Sequence, residues 1–190
     1  MIAHEHILKI PLKDFFIVLI FSVIFSAFMY VGHYLFTPAY SFLISLGLLV
    51  FGFNSLVYLT NKSGIAAIFS ALTALFTFNL GDLGIIGGQR IIVFILSALV
   101  FEFFFLFLKL HIHNVPLDIV LGTSFSLASL PLFIAFFLSP TLASSFPVAL
   151  INLILSAFAV GLLASSIVFL IWHEVEKTRV ILKIKFYLLV

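Results

Sequence analysis

The sequence predicts an all-α membrane protein, a six-transmembrane-helix bundle with both termini in the cytoplasm. Three observations carry that prediction. Of 190 residues, 64% are hydrophobic and 8% charged, and the mean hydropathy is +1.38, whereas a soluble domain carries about 25% charged residues to face water. The apolar residues gather in six runs close to the length, about 20 residues, that a helix needs to cross the hydrocarbon. Alternating apolar and polar strands are missing from these runs, which argues against a barrel.

The first span is read at 15–36. It is too long for the apolar core of a secretory signal and lacks a small-x-small cleavage site after it, so it is a retained helix. Thr37-Pro38 separates it from the second span, 42–59, and Asn61-Lys62-Ser63-Gly64 supplies the next break. The third span, 64–80, opens SGIAAIFSALTAL: Ala66, Ser70 and Ala74 form one row of small residues, with Ser63, Ala67 and Ala71 beside it. The loop GDLGIIGGQR, residues 81–90, has four glycines in ten residues and leads into the fourth span, 90–108. Asn114-Val115-Pro116 precedes the fifth, 117–138, and Ser139-Pro140 separates that from the sixth, 147–172, which carries Ala157, Gly161 and Ser165 at four-residue spacing. Small residues four apart let helices approach closely in lipid, either inside one bundle or against a partner. The tail, 173–190, mixes charges with apolar residues and reads as an amphipathic helix whose lysines meet anionic membrane lipid, or else as a partner-binding tail.

Basic residues set the orientation. Lys9, Lys13, Lys62, Lys109, Lys177, Arg179, Lys183 and Lys185 all fall on one side of a six-span chain, which is then cytoplasmic. Arg90 alone falls on the outer side, at the end of the glycine-rich loop. Trp172 and Tyr187 lie near the inner boundary, as aromatic belt residues do.

Function is then sought among the few polar groups. Glu102 sits inside the fourth span, in SALVFEFFFLF, and an ionisable side chain at that depth usually faces a cavity or a partner. Arg90 begins the same helix about 18 Å of axial rise away, too far for a direct pair. Its expected partner is Asp82 across the loop, as an exposed clamp of small energetic worth, or a ligand. Asn79, Gln89, Asn152, His33, Tyr34 and Tyr40 also fall at or near outer helix ends and complete a candidate outward-facing substrate site with Asp82, Arg90 and Glu102.

Other chemistries lack residues. There are no cysteines, hence no disulfide, thiolate metal site or cysteine nucleophile. His4 and His6, like His111 and His113, form H-x-H pairs, but an H-x-H on a helix points its rings to different faces, so no metal is assigned. The hydrolase, zinc-protease and phosphate-loop motifs are missing, which leaves no cofactor, no catalytic residue and no nucleic-acid partner to name.

The stretch NKSGIAAIFSALTALFTFNLGDLGIIGGQRIIVFILSALVFE, residues 61–102, resembles the substrate-binding S components of energy-coupling-factor (ECF) vitamin transporters. A cytoplasmic turn leads into a small-residue helix, a glycine-rich outer loop, and a helix with Ser97-Ala98 ahead of Glu102. Chain length, span number and cytoplasmic ends match as well, and the likeness is strongest to S components of the YkoE type, associated with thiamine or its hydroxymethylpyrimidine precursor. The resemblance implies a subunit without ATPase activity of its own. It implies capture of a small vitamin-like substrate near the outer face, and association with a membrane T component and two cytoplasmic ATPases. The family's AxxxA motif at the T-component contact corresponds to SVIFSA here, so Ser22, Ser26 and Ala27 are the implied contact residues, with serines in place of both alanines. Three other readings stay open: a ligand-free scaffold or assembly protein, a proton-coupled carrier or channel using Glu102, and an intramembrane enzyme acting on lipid. The last lacks a second polar group at matching depth.

Overall fold

A computed structural model describes residues 10–108, 111–112, 115–138 and 147–178. It contains the helices α1 (Leu12–Leu35), α2 (Pro38–Thr60), α3 (Ile65–Phe76), α4 (Gly88–Phe107), α5 (Leu117–Leu138) and α6 (Pro147–Val175). A two-residue antiparallel hairpin, β1 (His111–Ile112) with β2 (Val115–Pro116), lies in the α4–α5 connection. Five of the helices are long and apolar enough to cross a membrane, and large apolar side chains such as Phe16, Ile20, Phe28, Leu155, Leu163 and Leu170 face outward along α1 and α6. The chain is a multi-pass helical membrane protein.

The third span is where structure and sequence part. The apolar run predicts a helix over 64–80, but α3 is 12 residues long, about 18 Å at 1.5 Å per residue against a hydrocarbon thickness of about 30 Å. It stops because Thr77 turns out of the helix at its C-cap while its Oγ1 donates to the Thr73 carbonyl at 2.7 Å. The chain then runs irregularly to Gly87, with Leu80, Leu83 and Ile85 buried. Irregular backbone at membrane depth is tolerated where protein covers it. The glycine-rich stretch therefore tucks Asp82, Leu83 and Ile85 into the bundle and leaves Gly81, Gly84, Ile86 and Gly88 exposed.

Around the bundle the neighbours run α1, α3, α4, α5, α6, α2 and back to α1, and α2 also touches α3 and α5. Consecutive helices alternate in direction. Tyr30 near the end of α1 donates to the Phe76 carbonyl at the end of α3, while Lys62, between α2 and α3, pairs with Asp14 in the first turn of α1. The bundle thus has a loop end, holding residues 77–87, and a Lys62 end. Between them lies one core that includes Val50, Phe53, Phe69, Phe94 and Phe101.

The small-residue rows pack inside this bundle. Ser22 and Ser26 are buried, and the Ser22 hydroxyl donates to the Phe69 carbonyl of α3 at 3.5 Å. Ala157, Gly161 and Ser165 are buried on α6, and a Cβ at Gly161 would lie 2.7 Å from Cα of Ser124 in α5. That clash decides the sign of a substitution. Alanine gains about 1 kcal/mol in helix propensity over glycine, but forcing two backbones apart costs about 1–3 kcal/mol. Gly161→Ala is expected to lower the thermal midpoint of the detergent-solubilised protein, and an unchanged or raised midpoint would show that α5 and α6 separate freely.

α4 and α5 are joined by a reciprocal serine pair. Ser97 Oγ donates to the Ser126 carbonyl at 2.6 Å and Ser126 Oγ donates to the Ser97 carbonyl at 2.8 Å. Each hydroxyl is satisfied by the other helix's backbone, a form of polar adhesion that suits an apolar surrounding. The predicted tail helix over 173–190 falls largely on residues 179–190, with Tyr187, Arg179, Lys183 and Lys185, which lie outside the described residues.

Candidate functional site

Arg90 organises the loop end. It stands in the first turn of α4 and is wholly buried. Its Nε donates to Thr77 Oγ1 at 2.9 Å, and its Nη1 donates to the Leu80 carbonyl at 3.0 Å and to Asp82 Oδ1. The guanidinium carbon lies 4.8 Å from the centroid of the Phe94 ring. One planar fork thus ties the end of α3, the turn after it and the middle of the loop to α4, a geometry that suits arginine and not lysine. The pair is therefore not the exposed clamp that the sequence predicts. Both side chains of the Asp82–Arg90 pair are 0% exposed, so desolvation enters, and removing one partner strands a charge.

The backbone of the loop follows from its glycines. Gly84 and Gly87 adopt φ of +75° and +66°, conformations that side-chain-bearing residues rarely tolerate. They let Gly84 N–H donate to the Gly81 carbonyl at 3.1 Å and Gly87 N–H reach back to the Phe78 carbonyl at 2.8 Å. The result is a compact turn whose apolar side chains point into the bundle, with Ile86 left exposed.

The other sequence candidates divide between the two ends. His33 and Tyr34 close α1, Tyr40 opens α2, Gln89 opens α4 and Asn152 lies in the second turn of α6, so all share the loop end with Asn79, Asp82 and Arg90. Tyr34, Tyr40, Asn79, Gln89 and Asn152 are exposed. His33 is half-buried, with Nδ1 3.5 Å from the Ser41 hydroxyl and its ring edge-on to Tyr34. Arg90 and Asp82 face inward while those five face outward, so the described residues put the candidates on one rim and not in one open pocket.

Glu102 is at the other end. It lies 14 residues into the 20-residue α4 and is 93% buried, with neither carboxylate oxygen hydrogen-bonded. The backbone amides of Gly64, Ala67 and Ala66, at the start of α3, face its carboxyl group. α3 has no side-chain cap of its own, and a helix N-terminus carries free N–H groups and partial positive charge. Glu102 therefore answers the end of α3 and does not join Arg90.

A second polar layer, absent from the residues singled out by sequence, lies toward the Lys62 end. Thr123 of α5 donates to Asn54 Oδ1 of α2 at 2.8 Å. Tyr58, one turn further along α2, stacks on Trp172 of α6 with ring centroids 5.8 Å apart, and Asp118 lies buried at the start of α5 with its Oδ1 accepting from Ile119 N–H. The available signal was an asparagine inside an apolar run, which in lipid calls for a partner.

An apolar crevice of about 480 Å³ opens between α4, α5 and α6, lined by Val100, Phe104, Phe125, Leu132, Leu155 and Phe158 among others. Ser129 also lines it, but its hydroxyl already donates to the Ser126 carbonyl. Among the described residues no group of three metal-ligating side chains occurs, and His4, His6 and the side chains of His111 and His113 lie outside them. No family model, curated protein or solved structure matches the chain.

Proposed function

We propose that the chain is the substrate-binding membrane subunit of an ECF-type importer, capturing a small vitamin or vitamin precursor, with thiamine-related molecules favoured. The observation that supports this reading most is the segregation of polar groups. His33, Tyr34, Tyr40, Asn79, Asp82, Gln89, Arg90 and Asn152 share the loop end, while Lys13, Lys62 and Lys177 stand at the opposite end. Under the positive-inside rule the loop end then faces outward. The rim offers the aromatic faces of Tyr34 and Tyr40 for stacking on a planar or cationic ring.

Coupling follows from what α1 leaves exposed. Its serine face is taken up by α3, so a T component would meet the opposite face, with Ile20, Ile24, Ala27 and Phe28. Ala27 keeps the small-residue contact and Ser22 and Ser26 do not.

One observation favours a second reading. The unbonded carboxyl of Glu102 is the kind of buried group that carries a proton in a proton-coupled carrier. Proton flux into vesicles that persists unchanged in Glu102→Gln would remove that reading.

The test of the main proposal is a thermal-shift screen of the full chain in nanodiscs against thiamine, hydroxymethylpyrimidine and other vitamins. Saturating ligand at 100 times its Kd raises stability by about 2.7 kcal/mol, a readily measured shift. If no vitamin raises the midpoint, capture at the loop end is refuted.

A further inference from the structure

We propose that residues 77–88 form a latched plug in the mouth of the bundle, with the buried Asp82–Arg90 pair as its latch. What the plug admits rests on the capture function proposed above; that it opens as a unit does not.

Three features converge on this segment. First, the plug fills the bundle with Leu80, Leu83 and Ile85, which are as buried as any core residue, yet it has no regular secondary structure between Phe76 and Gly88 to hold it. Second, its glycines allow it to swing. Gly81, Gly84, Gly87 and Gly88 punctuate the segment, and a Cβ at Gly84 or Gly88 would meet nothing within 4 Å. Gly84 is glycine for its φ of +75°, whereas Gly88 is demanded by neither packing nor a positive φ, and freedom to rotate is what distinguishes glycine there. Third, the latch is poised and not saturated. Arg90 Nη2 and Asp82 Oδ2 are both buried without a hydrogen-bond partner. A buried pair left with unmet donors and acceptors is weak glue compared with an apolar contact of the same volume, and a charge pair of this kind is best attested as a device for register or switching.

The latch is also connected to what lies beneath. Phe94, which carries the guanidinium on its face, forms one wall of a void of about 10 Å³ shared with Phe53, Ser70, Ser97 and Ser126. The closed form is the occluded state of the mouth.

Because the chain has no cysteine, single reporters can be placed without further changes. Ile85→Cys reports the plug, Ile86→Cys reports an exposed site on the same loop, and Ala98→Cys reports the core of α4. Each is made with Asp82 intact and with Asp82→Ala, in the full chain in nanodiscs, and labelled with a water-soluble maleimide. The proposal expects labelling at Ile85→Cys to speed at least about tenfold when Asp82 is replaced, since one lost charge-assisted bond is worth that factor or more. Ile86→Cys should label alike in both backgrounds and Ala98→Cys should stay protected in both. An unchanged rate at Ile85→Cys overturns the latch. A rise at Ala98→Cys that parallels the rise at Ile85→Cys also overturns it, because the pair would then hold the whole bundle. Neither result depends on a ligand, so a failed vitamin screen and a failed latch are separate outcomes.

Discussion

Arg90→Ala is expected to cost the closed loop about 3–5 kcal/mol, the usual price of stranding one partner of a buried ion pair. The substitution removes the donors to Thr77, Leu80 and Asp82 together and the cation over Phe94, leaving Asp82 as a carboxylate with no described partner in an apolar surrounding. The loss should be local. Hydrogen exchange of the backbone amides over 78–87 should accelerate by about 10² to 10³·⁵, the factor those energies represent, while amides in the middle of α5 keep their protection. Arg90→Lys should recover only part of it, because one ammonium cannot serve three acceptors in the plane of a guanidinium. Equal loss of protection across α5 would mean that Arg90 supports the bundle and not the loop.

Glu102→Ala is the second large effect, and it should appear at the opposite end. The start of α3 has free amides, no side-chain cap and Gly64 at its N-cap, so the carboxyl group from α4 is the acceptor that faces it. Leaving those buried amides without a facing acceptor costs about 1–3 kcal/mol, and a loss of that size in thermal or denaturant unfolding is expected. Glu102→Gln keeps an acceptor and avoids burying a charge, and should stay within about 1 kcal/mol of the parent. If Gln is as damaging as Ala, it is the negative charge that α3 requires.

The two ends were unequally legible in the sequence. The long spans are visible because hydropathy is a property of 20 residues at once, and turn residues such as Thr37-Pro38 punctuate it. The early stop of α3 is hidden by the same averaging. Leu75 to Leu80 read as apolar whether they are helix or tucked loop, and only the Thr73–Thr77 bond and the glycines beyond it decide. Asp82 and Arg90 were recognisable as a pair, but their burial was not, since charges beside glycines ordinarily mark a solvated turn. The spacing of Ser22 and Ser26 announces a close helix contact without naming the helix, and α3 takes it. Glu102 was singled out for its depth, yet depth alone cannot say which end of which neighbour it faces. The Asn54–Thr123 bond is not legible in the sequence because its two residues lie 69 positions apart.

The proposal divides the duties of the two ends, with ligand capture at the loop end and support of the fold at Glu102. Equilibrium binding of radiolabelled thiamine and of hydroxymethylpyrimidine to the full chain in nanodiscs, run side by side on the parent, Arg90→Ala and Glu102→Gln, tests that division most directly. The account predicts saturable binding of at least one of the two by the parent. It predicts affinity weakened at least about tenfold in Arg90→Ala, because the loop that completes the rim loses its anchor on α4, and affinity nearly unchanged in Glu102→Gln. Binding that survives Arg90→Ala but is lost in Glu102→Gln, or no saturable binding by the parent, would contradict it.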